Sequence, residues 1–170
     1  MSIRHQLLTW YHWKRKIGHW GKDIRVYGIP GSIKGGINIH IGNNCRLNSG
    51  IVLNATGSEI LIGDSVTISS NSQIIAATYD VEMFMRGERN AFKHIHSPIA
   101  IGNHVWICAG AIILPGVKIA DNVIIAAGTV VTRSIEEEYV LVAGNPGKII
   151  KRYDGCLSKM EEEADGFKNK

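Results

Sequence analysis

The sequence lacks any uninterrupted run of about 18 or more apolar residues, so it predicts no transmembrane helix. Residues 1–20 contain charged and polar side chains such as Arg4 and His5, and therefore lack the continuous apolar centre of a secretory signal. Cysteine is scarce: Cys45, Cys108 and Cys156 lie far apart and form no CxxC pair. This argues against a disulfide framework or a zinc cluster and favours a reducing, cytoplasmic environment.

Excess charge of either sign is also missing. The formal net charge of the 170 residues is only +4, and the basic excess is concentrated between Met1 and Pro30. A charge this small and the absence of any nucleic-acid-binding motif argue against a nucleic-acid partner. The chain is 45% hydrophobic and 20% charged, which is typical of one folded globular domain.

Leucine is sparse, whereas isoleucine and glycine are abundant. The sequence has 26 Ile and 19 Gly but only 8 Leu. β-Branched residues favour strands and glycine favours tight turns, so this composition predicts a mainly β protein.

The sequence repeats with a period of six residues. The pattern Ile-x-Ile-Gly occurs at Ile39–Gly42, Ile60–Gly63 and Ile99–Gly102. Large aliphatic residues return every six positions in two runs: Ile62, Ile68 and Ile74, then Ile101, Ile107, Ile113, Ile119, Ile125 and Val131. A period of six fits neither an α-helix nor a single strand. It predicts a triangular coil of parallel strands with an aliphatic core and about 18 residues in each turn.

The repeat is interrupted in two places. The step from Ile41 to Ile62 is longer than one regular turn, which predicts one turn with a three-residue bulge. The step from Ile62 to Ile101 is longer still, and we interpret it as two turns and a three-residue excess. Residues 79–97 lack the sixfold pattern and are polar, so we expect a loop that leaves the coil.

Both ends differ from the repeat. Trp13, Ile17 and Trp20 belong to an apolar series at three- and four-residue steps, which predicts an amphipathic helix over residues 1–22. This basic, Trp-rich helix either packs on protein or contacts an anionic membrane surface. The coil is expected over residues 23–150, and residues 151–170 are expected to form a tail or short helix.

Three stretches resemble the hexapeptide-repeat acyltransferases, especially the galactoside/maltose O-acetyltransferase-like branch. They are residues 98–107 (PIAIGNHVWI), 113–121 (ILPGVKIAD), and 126–133 (AAGTVVTR) followed by 143–148 (AGNPGK). The resemblance covers about residues 30–152. It implies a left-handed parallel β-helix, acetyl-CoA as the acetyl donor, and a homotrimer with the donor groove between subunits. It also implies a sugar acceptor, with a role in surface-polysaccharide synthesis. The sparse cysteines favour the cytoplasm, and the basic N-terminal helix adds the inner face of the membrane and a lipid-linked sugar as alternatives.

The resemblance also suggests donor-binding residues. Ala109 and Ala127 would contact the pantetheine arm, because small side chains leave backbone groups accessible. Trp106 would lie beside the donor or line the acceptor cleft. The expected contacts to the CoA phosphates are Thr132, Arg133, Lys148 and Lys151.

The expected catalytic base departs from the family pattern. The family usually has histidine at the start of the loop, but here Tyr79 stands there, followed by Asp80. The alternatives are His94 and His96 at the far end of the loop. We expect these two side chains to face opposite sides, so that one at most reaches the acceptor. We favour His96 because it lies close to Pro98, while a role for Tyr79 with Asp80 stays open, as does a base elsewhere.

The acceptor is the least defined part of the reaction. Asn48 matches an acceptor-binding Asn of the family, and Arg46 stands where those enzymes tend to have an aromatic residue, which is consistent with a charged acceptor or with a different sugar. No His-x4-His pair lies in the coil, so no metal is expected. The sequence therefore predicts O-acetylation of a sugar hydroxyl, with N-acetylation of an amino sugar or a non-catalytic binding protein as alternatives.

Overall fold

A computed structural model describes residues 8, 11–87 and 94–154. Its short strands form the three sides of a parallel coil. Side A consists of β1 (His19–Trp20), β4 (Ile39–Ile41), β7 (Ile60–Ile62), β12 (Ile99–Ile101) and β15 (Lys118–Ile119). Side B consists of β2 (Arg25–Tyr27), β5 (Arg46–Asn48), β8 (Thr67–Ile68), β13 (Trp106–Ile107), β16 (Ile124–Ile125) and β18 (Val140–Ala143), with β19 (Lys148–Arg152) antiparallel to β18. Side C consists of β3 (Ser32–Lys34), β6 (Val52–Asn54), β9 (Gln73–Ile75), β14 (Ile112–Ile113) and β17 (Val130–Val131).

The sixfold aliphatic positions form the core, as the sequence predicts. Ile107, Ile113 and Ile125 are completely buried, and Ile101 and Ile119 are each 3% exposed. The register places each residue above its equivalent one turn earlier, for example Ile107 beside Ile125. Full burial of one such side chain contributes about 1.5–3 kcal/mol, so the stacked column is the main source of stability.

The corner between sides A and B explains the recurring Gly-Asn and Asp-Asn pairs. Asn44, Ser65, His104 and Asn122 have left-handed backbone with φ between 54° and 59°. Asparagine adopts this conformation more readily than most residues, because its short side chain can hydrogen-bond locally. The backbone N–H groups of these residues donate to carbonyls one turn earlier, such as His104 N to Asp64 O at 2.9 Å.

Asn and Asp side chains alternate along the same corner. The Asn43 N–H donates to Asp64 Oδ1 at 2.7 Å, and the Asp64 N–H donates to Asn103 Oδ1 at 2.9 Å. The Asn103 N–H then donates to Asp121 Oδ1 at 2.7 Å, and Asn103 Nδ2 donates to Asp121 Oδ2 at 3.0 Å. Alternation keeps two carboxylates from occupying adjacent turns, so this ladder links the turns without repulsion between like charges.

The register corrects our interpretation of the step from Ile62 to Ile101. Ile60 pairs with Ile99 and Ile62 pairs with Ile101, so these strands lie on adjacent turns. The step is therefore one turn with a long excursion, and not two turns with a short excess. Residue counting could not separate the two interpretations, because the length of the excursion nearly equals that of another turn.

The N-terminal helix ends earlier in the chain than predicted. Residues 11–14 are helical, but β1 already pairs with β4, so residues 19–20 belong to the coil and not to a helix over 1–22. Trp13 is fully buried and its Nε1–H donates to Gly28 O at 3.0 Å, while Ile17 is 8% exposed. This apolar face covers the first turn of the coil, which would otherwise present an open sheet edge.

The C-terminal boundary also differs. Residues 151 and 152, which were expected to begin the tail, complete β19, and the predicted tail or helix beyond residue 154 lies outside the described residues. In the part of the chain that the structure describes, none of the helices has the length and hydropathy needed to cross a bilayer.

Candidate active site

The excursion between β9 and β12 is built on an antiparallel hairpin. Strands β10 (Ala77–Tyr79) and β11 (His94–His96) pair so that Tyr79 lies opposite His94 and Ala77 lies opposite His96. Ser97 N donates to Ala76 O at 3.0 Å, which closes the base of the hairpin against the coil. The predicted loop therefore leaves the coil as expected, but it has regular structure at its base.

Three aromatic side chains share one face of this hairpin. The ring centroids of Tyr79 and His94 are 4.6 Å apart, and those of His94 and His96 are 5.9 Å apart. The expectation that the two histidines face opposite sides is wrong, because residues i and i+2 of a strand lie on the same face. Both imidazoles and the phenol are exposed on this face of the hairpin.

The carboxylate of Asp80 makes a hydrogen bond within the loop. Its Oδ1 accepts a hydrogen bond from Met83 N at 3.1 Å and caps the short helix Val81–Met85. An aspartate at this position satisfies a free N–H group of the first turn. The Asp80 carboxylate, which the sequence analysis considered together with Tyr79, therefore stabilises the start of the helix that follows β10.

The imidazole of His96 lies against the backbone of Gly57 in the coil. This glycine has φ of 67°, and a Cβ atom placed on it would lie 2.7 Å from His96 Cε1 and 2.8 Å from Nδ1. Real Cβ contacts are not this short, so only glycine allows the ring to lie here. Gly57 belongs to the bulge that the spacing from Ile41 to Ile62 predicts, but spacing alone did not reveal its contact with His96.

The hairpin and the coil enclose a cleft of about 720 Å³. Tyr79, His94 and His96 line it from the hairpin, while Lys34, Asn54 and Thr56 line it from the coil. Sequence reasoning missed these three coil residues, because they come from different turns and meet only through the register of β3 with β6. A volume of about 720 Å³ is in the ordinary range of small-molecule binding clefts.

The expected pantetheine contacts lie at another edge of the coil. Ala109 and Ala127 are exposed at the corner between sides B and C, where Gly128 N donates to Ala109 O at 2.9 Å. A Cβ atom on Gly128 would meet no atom within 4 Å, so the surface there is open.

The expected phosphate contacts are distributed more widely. Thr132 and Arg133 follow β17 at the opposite end of side C, and both are exposed. Lys148 and Lys151 are exposed on β19, where the Lys151 ammonium lies 4.6 Å from the centroid of the Tyr153 ring.

The expected acceptor contacts lie on side B. Trp106 is 49% exposed, and its Nε1–H donates to Ser69 Oγ at 3.1 Å. Asn48 Nδ2 donates to Ile68 O at 3.1 Å, while Arg46 is exposed between Arg25 and Thr67 in the register. None of the three expected residues lines the histidine cleft.

One chain therefore does not bring all predicted site residues together. The chain crosses side C between Ser70, beside the alanine corner, and Ala77, at the base of the hairpin. The extended part of this crossing, from Ser72 to Ala77, spans roughly 16 Å at about 3.3 Å for each residue. The histidine cleft and the alanine corner are thus separate regions of one molecule.

Cys45 and Cys108 are the cysteines that the structure describes. Burial raises the pKa of the Cys45 and Cys108 thiols, so both favour the unreactive protonated form. Among the described residues, no three His, Cys, Asp or Glu side chains are grouped as metal ligands.

Known protein families match the repeat region. The family described as bacterial transferase hexapeptide (six repeats) matches residues 98–133, and the hexapeptide repeat of succinyl-transferase matches residues 32–55. The chain is 38% identical to galactoside O-acetyltransferase from Escherichia coli K12 over 118 residues, which are 68% of this chain and 55% of that protein. It is 38% identical to protein CapG from Staphylococcus aureus over 133 residues, covering 76% and 74% of the two chains. The chain spans only 55–58% of the length of several other curated relatives.

Solved structures have the same coil. A hexapeptide-repeat acetyltransferase from Vibrio cholerae complexed with acetyl coenzyme A has a TM-score of 0.77 at 27% identity, covering 91% of this chain and 80% of that one. A galactoside acetyltransferase in complex with coenzyme A has a TM-score of 0.71 at 32% identity, covering 84% and 68%. The fold of this chain is accordingly the left-handed parallel β-helix.

Proposed function

Because this chain belongs to the hexapeptide-repeat acetyltransferases, we propose that it transfers the acetyl group of acetyl-CoA to a sugar hydroxyl. The observation that carries this proposal is the cleft in which His94, His96 and Tyr79 face the coil. It provides both a space large enough for a sugar and a group able to accept the hydroxyl proton. Family membership supports acetyl-CoA as the donor, since relatives bind acetyl coenzyme A or coenzyme A.

In the proposed reaction, His96 is the general base. As the acceptor hydroxyl oxygen attacks the thioester carbonyl carbon, the imidazole removes its proton. Collapse of the tetrahedral intermediate breaks the C–S bond, and the departing CoA sulfur takes the proton from the imidazolium. Atoms and charges then balance, and the histidine returns to its neutral form.

His96 is favoured over His94 because its position is constrained by more of the structure. Its imidazole lies against Gly57 of the coil, whereas His94 lies beside Tyr79, farther from the base of the hairpin. A base held on a rigid element keeps its geometry through turnover. Tyr79 takes a supporting role in this scheme, orienting the acceptor or the neighbouring imidazole.

We place the pantetheine arm at the corner formed by Ala109 and Ala127, with Trp106 near the reacting thioester. The exposed cations Arg133, Lys148 and Lys151, with Thr132, would bind the CoA phosphates. The alanine corner lies across side C from the histidine cleft of the same chain, so a donor bound there would meet the histidines of another copy, and a complete site requires two copies. A homotrimer, in which each groove lies between neighbours, satisfies this requirement.

The acceptor and its location extend the proposal. We propose that Asn48 and Arg46 contact the acceptor from the adjacent copy, and that the reaction serves surface-polysaccharide synthesis in the cytoplasm or at the inner face of the membrane.

The described N-terminal residues support a membrane contact through charge only. Trp13 and Ile17 are turned towards the coil, whereas Lys14, Arg15 and Lys16 are exposed. Flotation with phosphatidylserine vesicles and with neutral vesicles tests this contact, and equal recovery with both would exclude it.

The proposed reaction is tested by incubating the purified protein with acetyl-CoA and a panel of neutral, amino and charged sugars while measuring free thiol. Acetylation of a hydroxyl is expected, and the His96→Ala variant should turn over about 10²–10⁴-fold more slowly with little change in donor affinity. Tyr79→Phe and His94→Ala should be milder. Full activity in both histidine variants with an inactive Tyr79→Phe would transfer the central role to the phenol. Tight CoA binding without any transfer would instead indicate a non-catalytic binding protein.

A further inference from the structure

One wall of the histidine cleft carries a cation, Lys34. Lys34 is the last residue of β3, and its backbone O accepts a hydrogen bond from Ala55 N at 3.0 Å. Its side chain is exposed and lines the cleft. The ammonium group makes no ion pair or hydrogen bond with any of the residues that the structure describes.

The neighbouring residues add donors to this wall. Asn54 pairs with Lys34 in the register of β3 and β6, and its Oδ1 accepts a hydrogen bond from Thr56 N at 3.2 Å. One lone pair of this oxygen is engaged, and the NH₂ group of Asn54 can only donate. The exposed hydroxyl of Thr56 lines the cleft beside it and can donate as well.

The described residues that line the cleft carry positive and neutral groups. Its described lining residues include one lysine and two histidines but neither Asp nor Glu. The nearby carboxylate of Asp80 is directed to the N–H of Met83. A neutral sugar offers hydroxyls that both donate and accept, whereas a carboxylate or phosphate offers only acceptors and a negative charge. The donor-rich wall therefore fits an anionic group.

We propose that the acceptor is a sugar with a carboxylate or phosphate group, bound by Lys34 with Asn54, so that a neighbouring hydroxyl faces His96. This inference rests on the proposed acetyltransferase function and names the class of its acceptor. Lys34 is then a specificity-determining residue, because it binds a part of the acceptor that does not react. Arg46 of the same chain lies on side B and outside the cleft, so Lys34 is the lysine or arginine that the described part of this chain itself contributes to the cleft.

The test compares galactose, galacturonic acid and galactose 1-phosphate as acceptors. The wild type should have the highest kcat/KM for one of the two anionic sugars, and the preferred one identifies carboxylate or phosphate as the bound group. Lys34→Met keeps the length of the side chain but removes its charge, and should lower kcat/KM for that sugar about 10- to 100-fold. Its kcat/KM for galactose should stay within about twofold, while Lys34→Arg should retain the anionic preference. Lys22→Met, at an exposed lysine at the first corner between sides A and B, is the matched control and should behave as the wild type.

Equal losses for galactose and the anionic sugars in Lys34→Met would overturn the inference, as would a wild-type preference for galactose. The proposed function would survive either result, since transfer to a sugar would still occur. If none of the three sugars is acetylated, calorimetry with the CoA-loaded protein decides. Unchanged affinity of Lys34→Met for galacturonate and galactose 1-phosphate would overturn the inference, and failure of the wild type to bind acetyl-CoA would overturn the proposed function.

Discussion

Replacement of Gly57 by alanine tests the position of His96 without changing any reacting group. The new Cβ atom would lie 2.7 Å from His96 Cε1, whereas ordinary contacts begin at 3.4 Å. The imidazole must therefore move by several tenths of an ångström or rotate away from the coil. A displacement near 1 Å in a reacting group can cost about 100-fold in rate, so we expect kcat to fall about 10- to 100-fold.

The same substitution also strains the backbone, which requires a matched control. Gly57 has φ of 67°, and a non-glycine residue in this conformation costs about 1–2 kcal/mol. Gly87 has a similar φ of 75°, but a Cβ atom there would meet nothing within 4 Å. Gly87→Ala should therefore show a similar loss of stability and retain the wild-type kcat.

The assay is initial-rate measurement of thiol release at saturating acetyl-CoA, with urea unfolding of the same preparations. The expected result is a lower kcat in Gly57→Ala, an unchanged KM for acetyl-CoA, and similar unfolding midpoints for the two variants. A wild-type kcat in folded Gly57→Ala would refute the reasoning, since it would show that the position of the His96 ring does not matter for the reaction.

Three other predictions concern the donor, the coil end and the Asn/Asp ladder. Ala127→Trp should abolish acetyl-CoA binding in calorimetry and leave the circular-dichroism spectrum unchanged, because the side chain faces outward; unaltered affinity would place the donor elsewhere. Trp13→Ala should lower the free energy of unfolding by about 3–5 kcal/mol, against less than about 1 kcal/mol for the half-exposed neighbour in Tyr11→Ala, and equal losses would show that Trp13 does not stabilise the coil end. Hydrogen bonds from the backbone and side chain of Asn103 lower the pKa of Asp121, so its stabilising contribution is present above about pH 4 and is lost as pH falls through the lowered value. Asp121→Asn should therefore show a smaller decrease of the urea midpoint between pH 5 and pH 3 than the wild type, and an unchanged decrease would mean that this carboxylate does not contribute.

The sequence predicted the coil because its signal is local and repeated. Many of the buried aliphatic residues recur with a sixfold period, and the core and the parallel stacking follow from that period. The length of an insertion has no such signal, and for this reason the step from Ile62 to Ile101 was misinterpreted until the pairing of Ile60 with Ile99 was known. The N-terminal helix was extended too far for a related reason: Trp20 continues the helical spacing of apolar residues but lies in β1.

The site was only partly predictable. Tyr79, His94 and His96 were identified as candidates from the resemblance to the family and from their places at the two ends of the loop, and the structure brings these three together. The error about the two histidine faces was one of strand geometry and needed no structure to correct. Lys34 and Gly57 could not be identified as site residues from the sequence. Each lies near the hairpin only because neighbouring coil turns stack in register and the hairpin folds beside them.

The way the hairpin joins the coil determines which part of it can hold a fixed geometry. Ile75 ends the strand before the hairpin and Ile99 begins the strand after it, and both remain paired with neighbouring turns. The excursion therefore leaves the stacking intact, and its residues are constrained less with distance from the base. His96 lies next to that base and against a glycine of the coil, while Tyr79 and His94 lie at the outer end of the pairing. Chemistry that depends on a distance is best served by His96, whereas the outer pair is better placed to contact acceptors of different shape.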